Sequence, residues 1–509
     1  MSQYATHDEL ALSEVIEQRK KDWRVGAIVY QVLVDRFAPS KKLPEKSYLY
    51  PAPKLLKEWT DVPKHGKYIE SERLWSHEIE FWGGDLTSLS LHIDYIKQLG
   101  ADVVYLNPIH YAYTNHKYDA LDFDRISPEF GTEQDLAQLL EVCHQSDLKV
   151  VLDGVFNHMG QNSEKFLSAK NDKQSPYKDW FYFSEHYPSG HRAWDNAVNL
   201  PELNLENLAV RKSIYLDEDS TVQRFLRMGV DGWRLDVAHD IGFTYLNELT
   251  DCAHQSHKDS LIIGEVWSFP EQWLSCLDGI MNLTMRHVIL QSCQNKISAR
   301  MANLQIEQIV AHSDYEGLLK SWLLLDNHDT PRLANELGDF QLKKLAQVLQ
   351  FSLPGSPNLY YGSELGMTGG DDPEMRAPMR WDLVSDNNKH LKWLKSLMQI
   401  RKENCGLSVG EFKSIHSDNL ICFLRYTEKV EDACIVVVNP SEHSVTEQLM
   451  LPYSKLMNMG AFIELIGDYP HQARISASFL GVDMPAKTAA IFKPQTKAQS
   501  GYTTYKRVW

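Results

Sequence analysis

From residue 27 onward, short apolar, β-branched runs alternate with longer segments whose apolar positions recur at helical spacing. "AIVYQVLV" (27–34) opens the series, "LHIDYIKQLG" leads to "ADVVYLNPI", and "EQDLAQLLEVCHQSDL" leads to "KVVLDGVF". After a longer excursion, "SIYLDEDSTVQRFLRMG" precedes "VDGWRLDV", and "TYLNELTDCAHQS" precedes "SLIIGEVW". "GIMN" comes next, then "KISARMANLQIEQIVAHS" before "SWLLLDNHD" and "FQLKKLAQVLQFSLPG" before "SPNLYYGSE". These are eight strand candidates, the sixth weak. Repeated strand and helix units predict an α/β fold with a parallel sheet, and eight of them predict closure into a (β/α)8 TIM barrel. An open doubly wound sheet is disfavoured, because no glycine-rich phosphate turn follows the first strand.

The barrel is expected over residues 27–405, with insertions after the first strand (37–81) and after the third (159–205, an inserted loop domain, domain B). Both leave the strand C-termini, the face where barrel enzymes build their sites. Residues 406–495 change to short alternating runs such as "LICFLRYT" and "ACIVVVN" separated by turns, which predicts a C-terminal antiparallel β-domain, a sandwich, before a tail at 496–509. Residues 1–26 read as a helical extension without the basic start and apolar middle of a secretory signal.

The chain has no run of about 18 apolar residues, so no membrane span is expected. A net charge of −16 argues against a nucleic-acid partner, since polyanions need a basic face, and favours a neutral substrate. The seven cysteines are scattered and lack metal-type pairing, which suits reduced thiols in the cytoplasm.

Polar residues recur at the same end of nearly every strand: Asn107, then Asp153, Asn157 and His158, then Arg234 and Asp236, then Glu265, then His328 and Asp329, then Glu364. Closing the barrel gathers Asp236, Glu265 and Asp329, and three carboxyls in one pocket cannot all ionise cheaply, so at least one should hold a proton near neutrality. That suits glycosidic cleavage, in which one carboxylate attacks while a protonated carboxyl assists the leaving oxygen. Arg234, on the same strand face as Asp236, is placed to keep it ionised and oriented.

In order and spacing, "DGVFNH", "GWRLDVAHD", "GEVW" and "LLLDNHD" resemble the four short motifs of the α-amylase family of glycoside hydrolases. The stretches "YQVLVDRF", "FWGGDLTSL", "NHKYDALDF" and "MTGGDDPEMRAPMRWD" resemble its cyclomaltodextrinase, neopullulanase and maltogenic amylase branch. The resemblance implies Asp236 as nucleophile, Glu265 as acid and then base, and Asp329 with His328 gripping the 2- and 3-hydroxyls of the sugar at the cut bond. It further implies His158 on the 6-hydroxyl, Arg234 orienting the nucleophile, Tyr118 stacked on the ring and Arg332 binding substrate. Retention of configuration implies Asp236 and Glu265 carboxyls about 5–5.5 Å apart. Trp267 is open between stacking on a leaving-group sugar and core packing, and Asn157 between orienting a loop and ligating a metal. Asp231 and Asp153 read as supporting partners, and packing is favoured for most of Trp59, Tyr68, Trp75, Phe81 and Trp82.

Three departures from the branch bear on substrate. With strand one near residue 27, the branch's N-terminal β-sandwich and the dimer it helps build are not expected. The branch's calcium loop after "DRF" reads "DRFAPSKKLPEK" here; lysines replace oxygen ligands although Asp85 persists, so no metal is expected to be required. After the nucleophile stand His239 and Asp240, expected to face the leaving-group subsites. The leading expectation is a cytoplasmic hydrolase of α-1,4-linked maltooligosaccharides, cyclodextrins among them. The alternatives are a transglycosylase or isomerase with the same intermediate, and a catalytically silent amylase-like binding protein.

Overall fold

The computed structural model describes residues 7–467, 469, 473–497 and 502–508. Eight parallel strands close on themselves: β1 (Val29–Val32), β2 (Val103–Leu106), β3 (Lys149–Gly154), β4 (Gly232–Leu235), β5 (Leu261–Val266), β6 (Gly279–Asn282), β7 (Trp322–Leu324) and β8 (Ser356–Tyr360). Each pairs with its sequence neighbours, and β1 joins both β2 and β8, so the predicted barrel is the observed one. The weak sixth candidate, "GIMN", is β6.

Continuous apolar runs result because both faces of each strand are covered. Val29, Val103, Tyr105, Val151, Ile263, Met281, Trp322 and Leu324 fill the barrel interior. Their neighbours Ile28, Tyr30, Val104, Leu152, Trp233 and Leu323 pack outward in the cluster that also holds the surrounding helices. Most strands are shorter than their apolar runs, so Asp236, Asn157 and Asp329 lie in the turns just beyond.

Helix α1 (His7–Lys21) packs through Ile16 on Val25, Leu319 and Val409, beneath the barrel. Helix α2 (Ala238–Ser256) follows β4, and α3 (Lys389–Glu403) ends the barrel. The C-terminal strands are antiparallel: β9 (Glu411–Ser414), β10 (Ile421–Tyr426), β11 (Cys434–Asn439), β12 (Val445–Met450), β13 (Phe462–Glu464), β14 (Ile475–Ser476), β15 (Phe479–Met484) and β16 (Thr488–Pro494). They form a five-stranded sheet, β9-β10-β11-β16-β13, and a three-stranded one, β12-β15-β14. Two buried arginines join this part to the barrel. Arg401 of α3 donates to the carbonyls of Gly26, Phe351, Gly355 and Leu407, and Arg425 of β10 to those of Ser352, Leu407 and Gly410.

The first insertion contains a hairpin, Tyr68–Ile69 against Leu74–Trp75. The second contains the helix Glu164–Asn171 and otherwise irregular chain held by isolated bridges such as His158 to Glu202 and Ala193 to Pro201. The tail expected at 496–509 falls partly outside the described residues. No described helix is long and apolar enough to cross a membrane.

Candidate active site

In register, Arg234 of β4 lies between Asp153 of β3 and Ile263 of β5. The period-two alternation that turns Arg234 inward also turns Asp236 inward, one residue past the strand. Val237 then adopts a φ of 40°, a costly conformation for a β-branched residue, and its N–H donates to Glu265 Oε2 at 3.0 Å. The strained turn thus fixes the mutual position of the two carboxyls.

Arg234 is fully buried and serves three acids. Its Nη1 donates to Asp153 Oδ1 at 2.7 Å and Asp236 Oδ1 at 2.9 Å, while Nη2 forms an ion pair with Glu265 Oε2 at 2.7 Å outside hydrogen-bond geometry. Asp153 also accepts from Tyr105 and Tyr118, at 2.6 and 2.8 Å. One cation divided among three carboxylates cannot keep all of them charged. Burial pushes the Asp236 carboxyl well above the usual range, against the opposing pull of Arg234 and with a further push from the Glu265 charge. Sequence reasoning expected Arg234 to keep Asp236 ionised; the guanidinium orients it, but its charge is shared.

Asp329 is held the other way. The depth of the pocket works against its charge, but His328 Nε2 at 3.0 Å and Arg376 Nη2 at 3.2 Å hold it well below the usual carboxylate range. Tyr118 stacks on His328 with ring centroids 5.3 Å apart and hydrogen-bonds to it. His328 therefore lies behind Tyr118 rather than on the pocket wall, and Gln31 Nε2 meets its Nδ1 at 2.9 Å. His158 lines the pocket; burial lowers its imidazole to about 4, so it is neutral at pH 7. Its Nε2 reaches the Tyr118 carbonyl at 3.1 Å, and its Nδ1 has no protein partner.

Asp236, Glu265, Asp329, Tyr118, His158, His239 and Trp267 line one cavity of about 730 Å3. Trp267 is 56% exposed and donates from Nε1 to Glu265 Oε1 at 3.0 Å, which excludes core packing. His239 lines the cavity, and Asp240, 3.5 Å from its Nε2, is not part of that lining. Arg332 is not brought to the site: it is fully buried, and its Nε and Nη1 donate to the carbonyls of Met375 and Tyr361, beneath the loop that carries Arg376. Glu364 is also removed from the site, buried outside the barrel where it accepts from Tyr30 and Tyr95. Asp231 is at the opposite end, accepting from the Val150 N–H and pairing with Lys149 and His144.

Sequence reasoning missed Arg376, Asp372, His116 and Trp194, all in the lining. Arg376 lay within a quoted motif stretch, but nothing local distinguishes it from Arg332. Of the aromatics for which packing was favoured, Phe81 and Trp82 are core, whereas Tyr68 and Trp75 line the cavity.

At the expected calcium position, Asp85 accepts from Lys46 Nζ at 2.7 Å and from Ser40 Oγ at 2.5 Å, and caps the helix starting at Leu86 through the Ser88 N–H. An ammonium thus stands where a hard cation would need oxygen donors, and the residues do not fit calcium. The lysine responsible is Lys46; Lys41 and Lys42 are exposed.

Paired carboxyls on an arginine and a third acid, at the C-terminal mouth of a closed parallel barrel, define the class of barrel glycosidases. The chain belongs to the α-amylase family: the model of the alpha-amylase catalytic domain matches residues 31–404. It is 32% identical over 438 residues to the cyclomaltodextrinase of Thermoanaerobacter pseudethanolicus, covering 83% of this chain and 72% of that one. To the maltogenic alpha-amylase of Bacillus acidopullulyticus it is 33% identical over 440 residues, covering 83% and 71%. The structure of the cyclic alpha-maltosyl-(1→6)-maltose hydrolase from Arthrobacter globiformis is similar with a TM-score of 0.77 at 28% identity, over 92% of this chain and 98% of that one.

Proposed function

We propose that the protein is a retaining hydrolase of α-1,4-glucosidic bonds in maltooligosaccharides, cyclodextrins among them. The observation that carries this reading is the guanidinium of Arg234 joining Asp236 and Glu265 at the base of a cavity. Carboxyls anchored on one guanidinium are held close, as a retaining pair requires (~5–5.5 Å), rather than at the ~6.5–9.5 Å that admits a water between them.

The reaction requires Asp236 ionised and a proton on Glu265, beside Trp267. Asp236 attacks the anomeric carbon while Glu265 gives its proton to the glycosidic oxygen; the C1–O bond breaks and the protonated leaving glucan departs. Glu265, now a base, takes a proton from water, whose oxygen displaces the Asp236 carboxylate from C1. Asp329, ionised by its neighbours, grips ring hydroxyls, and the neutral His158 ring lines the same pocket.

The exposed Trp267 ring favours a second reading, in which a stacked acceptor sugar replaces water and the product is a transferred glucan. The reaction as proposed needs no metal, and the unpaired state of all seven cysteines supports a cytoplasmic location. A product time course on maltotriose, cyclodextrins, pullulan and starch tests the reading. Products shorter than maltotriose support hydrolysis, longer ones support transfer, and no cleavage of any α-glucan refutes both.

A further inference from the structure

Tyr118 lies on a loop, residues 113–119, that joins two short antiparallel strands after β2, His110–Ala112 and Ala120–Ile126. Asp119 closes the base of the loop by accepting from the Thr114 N–H at 3.1 Å. The Asn115 amide donates to the carbonyls of His77 and Glu80, and His116 pairs with Glu78 at 3.2 Å, so the loop is fastened to the first insertion as well. None of these contacts involves Lys117.

Lys117 is nonetheless held in a costly state. It is fully buried, its φ of 68° lies in the left-handed region that favours glycine, and its Nζ has no hydrogen-bond partner among the described residues. Burial works against its charge. What offsets this is Glu129, whose Oε2 is 3.5 Å from the ammonium, together with the rings of Phe81 and Phe130, whose centroids are 5.0 and 5.1 Å away. Glu129 is fixed in turn by Lys54 Nζ at 2.8 Å and the Ser127 hydroxyl at 2.6 Å. A methionine would fill the same space with no charge to desolvate, so packing alone does not call for a lysine here.

The left-handed turn sends consecutive side chains to different places, Lys117 into the Glu129 cage and Tyr118 to the barrel mouth. There the Tyr118 hydroxyl donates to Asp153 and accepts from Asn107 Nδ2 at 3.0 Å, while its ring stacks on His328. We propose that Lys117 is a positioning residue: its caged ammonium fixes the backbone twist before Tyr118, and so holds that ring in the cavity and that hydroxyl on Asp153, the acid that shares Arg234 with Asp236 and Glu265. The inference rests on the glucan-hydrolase reading, because Tyr118 lines the cavity the sugar would fill. Without the ammonium, residue 117 relaxes toward negative φ, and the Tyr118 ring turns with the backbone that follows. Lys117 itself is outside the lining, so its effect on the reaction passes through its neighbour.

The test is a double-mutant cycle on kcat and KM for maltotriose hydrolysis, with Lys117→Met, Tyr118→Ala and the two together. Lys117→Met, with its circular dichroism unchanged, should lower kcat/KM at least about tenfold, divided between kcat and KM as it is in Tyr118→Ala. In the Tyr118→Ala background the same change should cost less than about twofold, since the ring it places is gone. If Lys117→Met does not fold, Lys117→Met with Glu129→Gln, which removes both charges of the pair, takes its place in the cycle. A lowered Tm with unchanged kinetics would make the lysine a merely structural one and overturn the proposal. An equal loss in the two backgrounds overturns it too, while leaving the hydrolase reading intact. No cleavage of any α-glucan by the wild type overturns that reading, and the inference with it.

Discussion

Replacing Arg234 probes the centre of the site, because one fully buried guanidinium is within 2.9 Å of Asp153, Asp236 and Glu265. Arg234→Met leaves three buried carboxyls without their cation, and breaking a buried ion pair in this way costs about 3–5 kcal/mol. The loss depends on pH with a definite sign. Asp236 is already raised above its unfolded value, so its burial opposes folding once the pH exceeds the ordinary carboxylate range, and Arg234 reduces that opposition. The Tm deficit of Arg234→Met should therefore be largest near neutrality and shrink as the pH falls toward about 4, where the unfolded carboxyls also take up protons. Arg234→Lys keeps a charge but not the fork that reaches three acids. Its Asp236 should rise further, which moves the acid limb of kcat/KM to higher pH, lowers the rate below that limb and leaves it recovered above. Thermal unfolding against pH and a kcat/KM profile read both effects. An acid limb at the wild-type position in Arg234→Lys, or a Tm deficit in Arg234→Met independent of pH, would refute the shared-cation account.

Asp236→Asn and Glu265→Gln should each lower turnover by several orders of magnitude with circular dichroism unchanged, and near-normal rates in either would contradict the assigned roles. Glu129 tests a different charge cluster. Burial raises it, but Lys117 and Lys54 more than compensate and bring it to about 2. A depressed carboxyl stabilises above its unfolded value and loses that stability as the pH falls through the folded one, so Glu129→Gln should cost about 2–3 kcal/mol at pH 7 and almost nothing near pH 2. Because Lys46 occupies the cation position at Asp85, EDTA should leave both activity and Tm unchanged, whereas Lys46→Met should lower the Tm. A strong, calcium-reversible loss with EDTA would show that a metal site had been misjudged.

The strand order and closure were legible because parallel strands buried on both faces leave unbroken apolar runs, and even the four-residue β6 stands where "GIMN" predicted it. The inward acids were legible for a related reason: the period of two carries Arg234 and Asp236 to the same face. What failed was direction beyond the strand ends, which depends on loop packing. Arg332 and Arg376 look alike in sequence, yet one spends its donors on carbonyls below the loop and the other meets Asp329. Glu364 follows the last strand just as Glu265 ends the fifth, but it turns outward to two tyrosines. Tyr68 and Trp75 were indistinguishable from Phe81 and Trp82 until the hairpin lifted them out of the loop's core.

The central claim, that Asp236 forms a covalent bond to the sugar, is tested most directly by trapping. A ring-fluorinated glucosyl fluoride, whose withdrawing substituent slows both steps while its fluoride leaving group keeps the first one fast, should inactivate the enzyme and add one fluoroglucosyl mass. Peptide mapping should place that mass on Asp236. A label on Glu265 or Asp329, or inactivation without any covalent adduct, would contradict the mechanism.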